Sequence, residues 1–366
     1  MLFTLGSLLC AAAPRLAYLV AARVLQGIGG AILLPVGRLA VMRSVSREHF
    51  LNAMSFIAIP ALIGPLVGPT LGGWLVQVAS WHWVFLINLP IGAIGFVPAL
   101  KVMPDFHGEQ RSRFDLIGYA MLAFGMIALS LALDGISELG LRHACVMLLA
   151  IAGLAALIGY WLHAANVPAA LFPLHVFKVV SFRIGILGNL FARVSSGSMP
   201  FLIPLLQVGL GMSPMRTGLM MIPVALAGMA SKRAAVKLVQ HYGYRWVLMT
   251  NTVLVGLAMS SFVLFDTGLA LGWRLLQLAL FGAVNSLQFT VMNTVTLHDL
   301  DHDQASAGNS LLSMVMMLAT GFGAAAAGSL LATFNDHLGD SHGATAALHA
   351  TFVCVGAITL TSTLIF

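Results

Sequence analysis

An arginine lies inside an apolar segment, where a charged side chain requires an explanation. The segment LVAARVLQGIGGA (19–31) carries four residues spaced i, i+3, i+4 and i+7: Arg23, Gln26, Gly27 and Gly30. A helix places residues with this spacing on one face. An arginine within a membrane-spanning helix costs about 2.5–3.5 kcal/mol on insertion scales, so it should face a cavity or a polar partner. It is either a cation that tunes or relays a proton, or an arginine that snorkels to the membrane interface.

A second set of polar residues lies in apolar segments of the C-terminal half. The set consists of Asn189, Arg193, Asn285, Gln288 and Asn293. Arg193 is the strongest candidate for a cavity residue, because the same insertion cost applies to it. The amides fit a cavity and hydrogen bonding between helices equally well. The sequence therefore predicts a polar cavity at Arg193 and leaves the role of the amides open.

The acidic segment HDLDHDQ (298–304) looks like a metal site but lacks the required pattern. A calcium-binding loop needs glycine at its sixth position and an acid at its twelfth, where this chain has Gln304 and Ser310. We predict instead that Asp303 caps the helix that follows. The three cysteines show neither a disulfide nor a metal-binding pattern. Since no nucleophile–base set lies within an apolar segment, the pattern indicates neither an enzyme nor a metal or cofactor site.

The elements that position these residues are long apolar helices. Of the 366 residues, 59% are hydrophobic and 8% are charged, whereas soluble domains carry about 25% charged residues. Apolar runs of near twenty residues predict membrane-spanning helices. We expect helices at 1–12, 16–42, 51–77, 83–103, 115–134, 144–163, 181–207, 215–231, 246–265, 270–293, 305–334 and 346–366. The predicted fold class is an all-α, polytopic membrane helix bundle of about 12 spans, the first of them partial.

Basic residues between the apolar runs predict how the bundle is oriented. Lysine and arginine concentrate in cytoplasmic connections. One set of alternate connections holds 12 basic residues and the opposite set holds 4, so we assign the first set to the cytoplasm. The 12 are Arg38, Arg43, Arg47, Lys101, Arg111, Arg113, Lys178, Arg183, Lys232, Arg233, Lys237 and Arg245. Their dispersal over short connections argues against nucleic acid as a partner, despite a net charge of +6.

Two long connections, at 103–114 and 163–181, divide the predicted helices into groups of four, two and six. Transporter folds are commonly built from two matching six-helix halves. The grouping therefore looks like six, two and six helices without the first two. The predicted units are the remainder of an N-terminal half (1–103), two extra helices with cytoplasmic linkers (104–180) and a six-helix C-terminal half (181–366).

The segment GPLVGPTLGG (64–73) places helix-breaking residues inside a predicted span. Its glycine stripe consists of Gly64, Gly68 and Gly72, beside a second stripe of Pro65, Pro69 and Gly73. Small residues at this spacing let two helices approach closely, and prolines bend a helix. We expect this helix to lie close to a neighbour. The spacing alone does not distinguish permanent packing from a moving contact.

Four segments together resemble the major facilitator superfamily, and within it the 14-helix drug:proton antiporters of Gram-negative bacteria. LVAARVLQGIGGA fits the motif of the family's fourth helix, and GPLVGPTLGG fits the antiporter motif of the fifth. SWHWVFLINLPIG (80–92) resembles the entry to helix six, and the stretch 114–135 resembles the first of the two extra helices. The resemblance covers essentially the whole chain.

The resemblance implies proton-coupled export of drugs or other toxic compounds across the bacterial inner membrane by alternating access. It assigns proton coupling to Arg23 and Gln26, and the sealing of a leak path to the stripes at 64–73. The candidates for the substrate cavity become Asn189, Arg193, Asn285 and Gln288. The implied partners are a small amphipathic substrate, protons and the lipid bilayer, and a periplasmic adaptor is a further expectation.

The chain departs from the family pattern at its start. The fourth-helix motif lies on the second predicted span, so the first two helices, with the acidic residue of helix one, are expected to be missing. None of the 12 Asp and Glu residues falls in the middle of a span, although proton-coupled carriers usually use an embedded carboxylate. One alternative is a transport-incompetent fragment of such a carrier. An uptake symporter of the same fold fits the antiporter motif less well.

A second departure lies in VKLVQHYGYRW (236–246). Gly243 and Arg245 match the copy of the family's loop motif in the C-terminal half. The other motif positions are replaced by Val236, Gln240 and His241. The charge pair of this loop is therefore expected to be lost.

Overall fold

The computed structural model describes residues 1–46, 49–102, 115–137, 143–167, 170–172, 174–266 and 268–365, which form helices and no strands. The helices are α1 (Leu2–Ala11), α2 (Leu16–Ser44), α3 (Phe50–Val78), α4 (Trp83–Leu86), α5 (Asn88–Val102), α6 (Leu116–Ser137), α7 (His143–Asn166), α8 (Val180–Ala192), α9 (Val194–Gly197), α10 (Leu202–Pro204), α11 (Pro214–Ser260), α12 (Leu271–His298) and α13 (His302–Thr361). Each predicted apolar run is helical over most of its length, which confirms the all-α membrane bundle.

Two glycines fold the longest helices into pairs of arms. Gly243 in α11 has φ of 77° and Gly343 in α13 has φ of 78°, a backbone region that favours glycine. Among the described residues, eight helices are long and apolar enough to cross a membrane. One of them, Met215–Leu264, has 50 residues and is long enough for two crossings at about 20 residues each.

The first arm of α11 is longer than its apolar run predicts. Lys232 was assigned to a cytoplasmic connection, but the helix continues from Pro214 to Gly243, and Lys232 is buried within it. The stretch 229–242 contains neither glycine nor proline, and Ala, Lys, Arg, Met, Leu and Gln, which favour helix, make up most of it. Arg38 was also assigned to a connection and is buried inside α2.

The predicted single helix at 181–207 is broken instead. After α8 ends at Ala192, short α, 3₁₀ and π turns continue to Gly209. Pro200 and Pro204 lie in this stretch and remove two backbone donors from it. Arg193 lies at the first break, between α8 and α9.

The helix cap predicted at Asp303 is wrong by two residues. Helix α13 begins at His302, and Asp301 occupies the cap position with extended backbone. Its side chain makes no capping hydrogen bond. The local pattern located the start of the helix but did not fix which of the closely spaced acids precedes it.

The core of the C-terminal helices is aromatic. The rings of Phe265, Phe281 and Phe352 each lie 5.3–5.7 Å from the ring of Phe262, which is fully buried. These side chains join α11, α12 and α13. Helices α6 and α7 pair with each other, and α6 packs against α13. The division into three units at 103 and 180 stays a prediction.

Helices α2 and α3 contact the C-terminal helices at one end of the bundle, which we call the basic end: the end where α2 finishes at Ser44 and α3 begins at Phe50. Phe50 and Met54 pack there in one cluster with Phe182 and Leu312. Because the contacts join elements of both halves of the chain, they close the bundle at this end.

The glycine stripe on α3 is open. A Cβ atom added at Gly64, Gly68, Gly72 or Gly73 would have no described atom within 4 Å. The close helix approach that the spacing predicts is therefore not made by the described residues in this conformation. The side chains of Pro65 and Pro69 lie outside the described residues.

Candidate functional site

The predicted Arg23–Gln26 pair forms a hydrogen-bonded network between α1, α2 and α5. Arg23 Nη1 donates to Gln26 Oε1 at 2.9 Å, and Gln26 Nε2 donates to Ser7 Oγ at 2.6 Å. The Ser7 hydroxyl donates in turn to the carbonyl of Phe3 at 3.0 Å and accepts from Asn88 Nδ2 at 3.3 Å. The Ser7 hydroxyl thus uses its one donor and both of its acceptor positions. Because one of these bonds comes from Gln26, the network holds the Gln26 side chain in place.

Arg23 reaches the outside of this network. Its side chain is exposed, while Gln26 is 4% exposed. The guanidinium lies 5.3 Å from the centre of the Phe85 ring, within the range of a cation–π contact. The structure therefore brings the predicted pair together and anchors the arginine, with its charged group at the edge of the helices described.

Arg193 is the centre of a second network, as its position predicts. Its Nε donates to Asn189 Oδ1 at 2.9 Å and its Nη2 to Asn293 Oδ1 at 3.3 Å. Asn189 Nδ2 donates to Thr296 Oγ1 at 3.3 Å. The guanidinium lies 4.5 Å from the centre of the Phe289 ring. Arg193 at the end of α8 is therefore bonded to the amide of Asn293 on α12, and Asn189 of α8 is bonded to Thr296 of α12. These partners are all uncharged.

The amides Asn285 and Gln288 serve different neighbours. Asn285 Oδ1 accepts from Ser196 Oγ at 2.8 Å. Gln288 accepts from Asn251 Nδ2 at 2.7 Å and donates to Thr252 Oγ1 at 2.8 Å, which joins α12 to the second arm of α11. Gln288 therefore makes hydrogen bonds between helices, one of the two roles that the sequence left open.

Three of the predicted cavity residues line one small cavity. Asn189, Arg193 and Gln288 face it together with Ser196 and Phe289, and its volume is about 10 Å³. That is about the space needed for one water molecule. In this conformation the cavity is closed to any larger ligand, and its role as a substrate cavity stays a prediction.

Lys232 is a functional candidate that its sequence pattern did not predict. It is 4% exposed, and its Nζ donates to the carbonyl of Ser286 at 3.1 Å and to Thr290 Oγ1. Nζ also lies 5.9 Å from the centre of the Phe289 ring, the ring that Arg193 contacts. The uninterrupted helix-forming stretch up to Gly243 was the signal that could have placed this lysine inside the bundle.

Arg38 is a second cation missed in the sequence. It is 3% exposed, and its Nη1 lies 3.6 Å from Met316 Sδ, a weak acceptor. Its Nη2 has no hydrogen-bond partner among the described atoms. Arg38, Arg193 and Lys232 are thus three buried cations, which come from α2, the break between α8 and α9, and α11.

The loop motif of the C-terminal half is a helix kink. Gly243 supplies the positive φ at the turn between the two arms of α11, and Arg245 follows it with an exposed side chain. The ring of Tyr244 lies 5.7 Å from that of His298 at the end of α12. The role of this motif in transport stays a prediction.

A larger groove opens on the side of the bundle, with a volume of about 680 Å³. It lies between the two arms of α11 and helix α12, with Leu238, Trp246 and Leu254 in its wall. Asn251 lines this groove and hydrogen-bonds to Gln288 of the small cavity. This amide pair therefore separates the apolar groove from the polar interior.

Comparison with known proteins gives consistent matches over the whole chain. The sequence model described as Major Facilitator Superfamily matches residues 1–324. A protein of Serratia proteamaculans named MdtD, provisionally assigned to multidrug resistance, is 50% identical over 340 residues, which cover 92% of this chain and 70% of that protein. The MdtD protein of Yersinia enterocolitica is 47% identical over 371 residues, which cover 100% of this chain and 78% of that protein.

Solved structures share the fold at low sequence identity. The human organic anion transporter MFSD10 has a TM-score of 0.68 at 15% identity, over 99% of this chain and 74% of that one. The proton:xylose symporter XylE has a TM-score of 0.63 at 14% identity, over 99% of this chain and 77% of that one. Identities this low support the arrangement of the helices and nothing about what is carried.

Proposed function

Because this chain belongs to the major facilitator superfamily, we propose that it is a multi-pass transporter that exports small amphipathic compounds in exchange for protons. The observation that carries the proposal is the 50% identity to a relative assigned to multidrug resistance, extending over 92% of this chain. The polar, cation-lined interior supports it, since charged groups inside a membrane bundle mark substrate or ion pathways.

Alternating access is the mechanism that the contacts between the halves support. At the basic end, α2 meets α13 and α3 meets α8 and α12, whereas the glycine stripe on α3 has open space beside it. This is the arrangement of a carrier closed at one end and open toward the other. In the opposite state the basic end opens and the stripe closes against a neighbouring helix.

The excess of lysine and arginine supports a cytoplasmic location for the basic end. For a carrier of Gram-negative type, the membrane is then the inner membrane, and the conformation seen here faces the periplasm. We assign proton coupling to the Arg23–Gln26–Ser7 network, because it links an exposed charge to a chain of buried hydrogen bonds. A periplasmic adaptor stays a prediction.

The test measures proton movement in everted membrane vesicles from cells that express the chain. A pH gradient, acidic inside, is followed with a pH-sensitive dye, and an organic cation such as ethidium or an organic anion such as carboxyfluorescein is then added. We expect substrate-dependent loss of the gradient that vesicles from non-expressing cells do not show. If neither compound nor any of a panel of neutral amphipathic compounds moves protons, the proposal is overturned.

A further inference from the structure

Three cations meet in the interior with almost no access to solvent. Arg38, Lys232 and Arg193 are 3%, 4% and 8% exposed, and they come from α2, α11 and the α8–α9 break. Arg193 and Lys232 share the ring of Phe289. Phe289 packs in the same cluster as Met316, the residue that Arg38 contacts. The three positive charges therefore border one group of packed side chains, which contains Phe289 and Met316.

None of the hydrogen bonds that the structure describes at these three cations is accepted by a carboxylate. The chain contains no Asp or Glu in the stretches 1–47, 139–265 and 267–298, which include all three cations. Their hydrogen-bond acceptors in the described part of the chain are amide, hydroxyl and carbonyl oxygens and one thioether sulfur. Like charges repel, and buried charges are normally paired. A negatively charged group is the component that these contacts lack.

One donor is already free to receive such a group. Arg38 Nη2 is buried and has no hydrogen-bond partner among the described atoms, and leaving a buried charged donor unsatisfied is costly. The planar guanidinium suits a carboxylate or sulfonate, because it can donate two parallel hydrogen bonds to such a group. Phe289 and Met292 line the apolar wall of the cavity beside Arg193 and suit the hydrocarbon body of a substrate.

We propose that Arg38, Arg193 and Lys232 form the substrate site for an amphipathic organic anion, whose carboxylate or sulfonate lies between the three cations. This assignment rests on the proposed function and narrows its substrate class, since three uncompensated positive charges disfavour an organic cation at the same place. The cavity of about 10 Å³ is too small for such a ligand. The anion therefore enters only when α2 withdraws from α13 and the site widens.

The direct test is binding of 5-carboxyfluorescein to the purified chain in detergent, measured by fluorescence anisotropy, with ethidium as the cationic comparison. We expect Lys232→Met to weaken carboxyfluorescein binding by about tenfold, the value of one charge-assisted hydrogen bond. Lys232→Arg keeps the positive charge and should restore most of the affinity. Arg233→Gln is the matched control, because Arg233 is the next residue of the same helix and is exposed.

Arg193→Gln provides a second variant that keeps a hydrogen-bonding side chain if Lys232→Met fails to fold. Equal affinity for both dyes, or unchanged carboxyfluorescein binding in both neutral variants, would overturn the proposal. Competition by sodium sulfate as strong as that by benzoate would also overturn it, because the site would then hold an inorganic anion only.

The vesicle assay separates this proposal from the function on which it rests. Proton movement driven by ethidium, with neither binding nor transport of carboxyfluorescein, would leave the exporter intact and remove the anion site. Binding of carboxyfluorescein that depends on Lys232, with no proton movement for any compound, would keep the site and remove the exporter.

Discussion

Asn309 donates a hydrogen bond of 2.7 Å to the carbonyl oxygen of Pro35, and this bond joins α13 to α2 at the basic end. Arg38, one turn further along α2, contacts Met316 on α13. The two contacts lie in the same helix pair, so they open or close together. In the proposed alternating-access cycle, these two contacts mark the state in which the basic end is closed.

Asn309→Ala should loosen the basic end. A hydrogen bond between membrane helices contributes about 0.6 kcal/mol on average, so the equilibrium between the two states should shift about threefold toward the state with an open basic end. The readout is the rate at which a maleimide labels Gly64→Cys on the open stripe, in a Cys145→Ser background. We expect slower labelling, because the stripe closes in the other state.

Ser313→Ala is the matched control for this measurement, because the Ser313 hydroxyl donates only to the carbonyl of Asn309 within the same helix. It should leave the labelling rate unchanged. A rate that is the same in Asn309→Ala and the unmodified chain would show that the Pro35 contact does not hold the basic end closed.

Gly68→Leu should block transport without unfolding the protein. A Cβ atom at this position meets no described atom within 4 Å. The free energy of unfolding should therefore stay within about 0.5 kcal/mol of that of the parent chain, as for ordinary surface changes. Closing the stripe would then bury a leucine between helices that small residues allow to approach. Proton movement in everted vesicles should therefore be lost.

The control is Gly95→Leu on α5, where a Cβ atom also meets nothing within 4 Å. It should transport normally. Normal transport by Gly68→Leu would mean that the stripe is a lipid-facing surface and not a moving contact.

Gln26→Leu should uncouple proton movement from export. It removes the acceptor of Arg23 and the donor to Ser7 while keeping a side chain of similar volume. The expected loss of stability is about 0.6–1.7 kcal/mol, the range for hydrogen bonds between membrane helices. Substrate-dependent proton movement should fall by much more than the small loss of folded protein would explain.

Val24→Ala is the control, because Val24 is exposed and lies two residues from Gln26 on the same helix. It should reduce neither the stability nor the substrate-dependent proton movement. If Gln26→Leu moves protons at the rate of this control, the network is structural and the coupling group lies elsewhere.

Asp115→Asn should reduce stability at neutral pH and have little effect in acid. Burial raises the pKa of Asp115, but hydrogen bonds from Gly118 N, His163 and Leu171 N outweigh burial and hold the pKa below its ordinary value of 3.8. A carboxyl group with a lowered folded pKa stabilises the fold above the ordinary pKa and loses this contribution as the pH falls through the folded value. The unfolding midpoints of the two proteins should therefore converge below pH 3.8.

The measurement is thermal unfolding in detergent from pH 7 downward, with Asp336→Asn as the control at an exposed carboxylate. A constant difference between Asp115→Asn and the parent chain at every pH would show that the charge of Asp115 is not what stabilises the α6–α7 junction.

The sequence predicted most of the fold because the bilayer makes helix formation a local matter. Without water to satisfy the backbone, an apolar run of sufficient length must be helical whatever it packs against. The predicted limits of α2, 16–42, and of α3, 51–77, therefore agree with Leu16–Ser44 and Phe50–Val78 to within two residues. The insertion cost of a single charge likewise indicated that Arg193 needs polar partners, and the structure gives it Asn189 and Asn293.

The sequence alone determined which segments are helices, which of them carry polar groups and which family the chain resembles. Only the tertiary structure decided that Lys232 and Arg38 are buried, that Lys232 shares the ring of Phe289 with Arg193, and that no described atom covers the glycine stripe. The physical reason is that hydropathy and helix propensity act along one segment, whereas burial depends on which other helix covers a given face. A basic residue near the end of an apolar run looks the same in sequence whether its helix stops there or continues into the core.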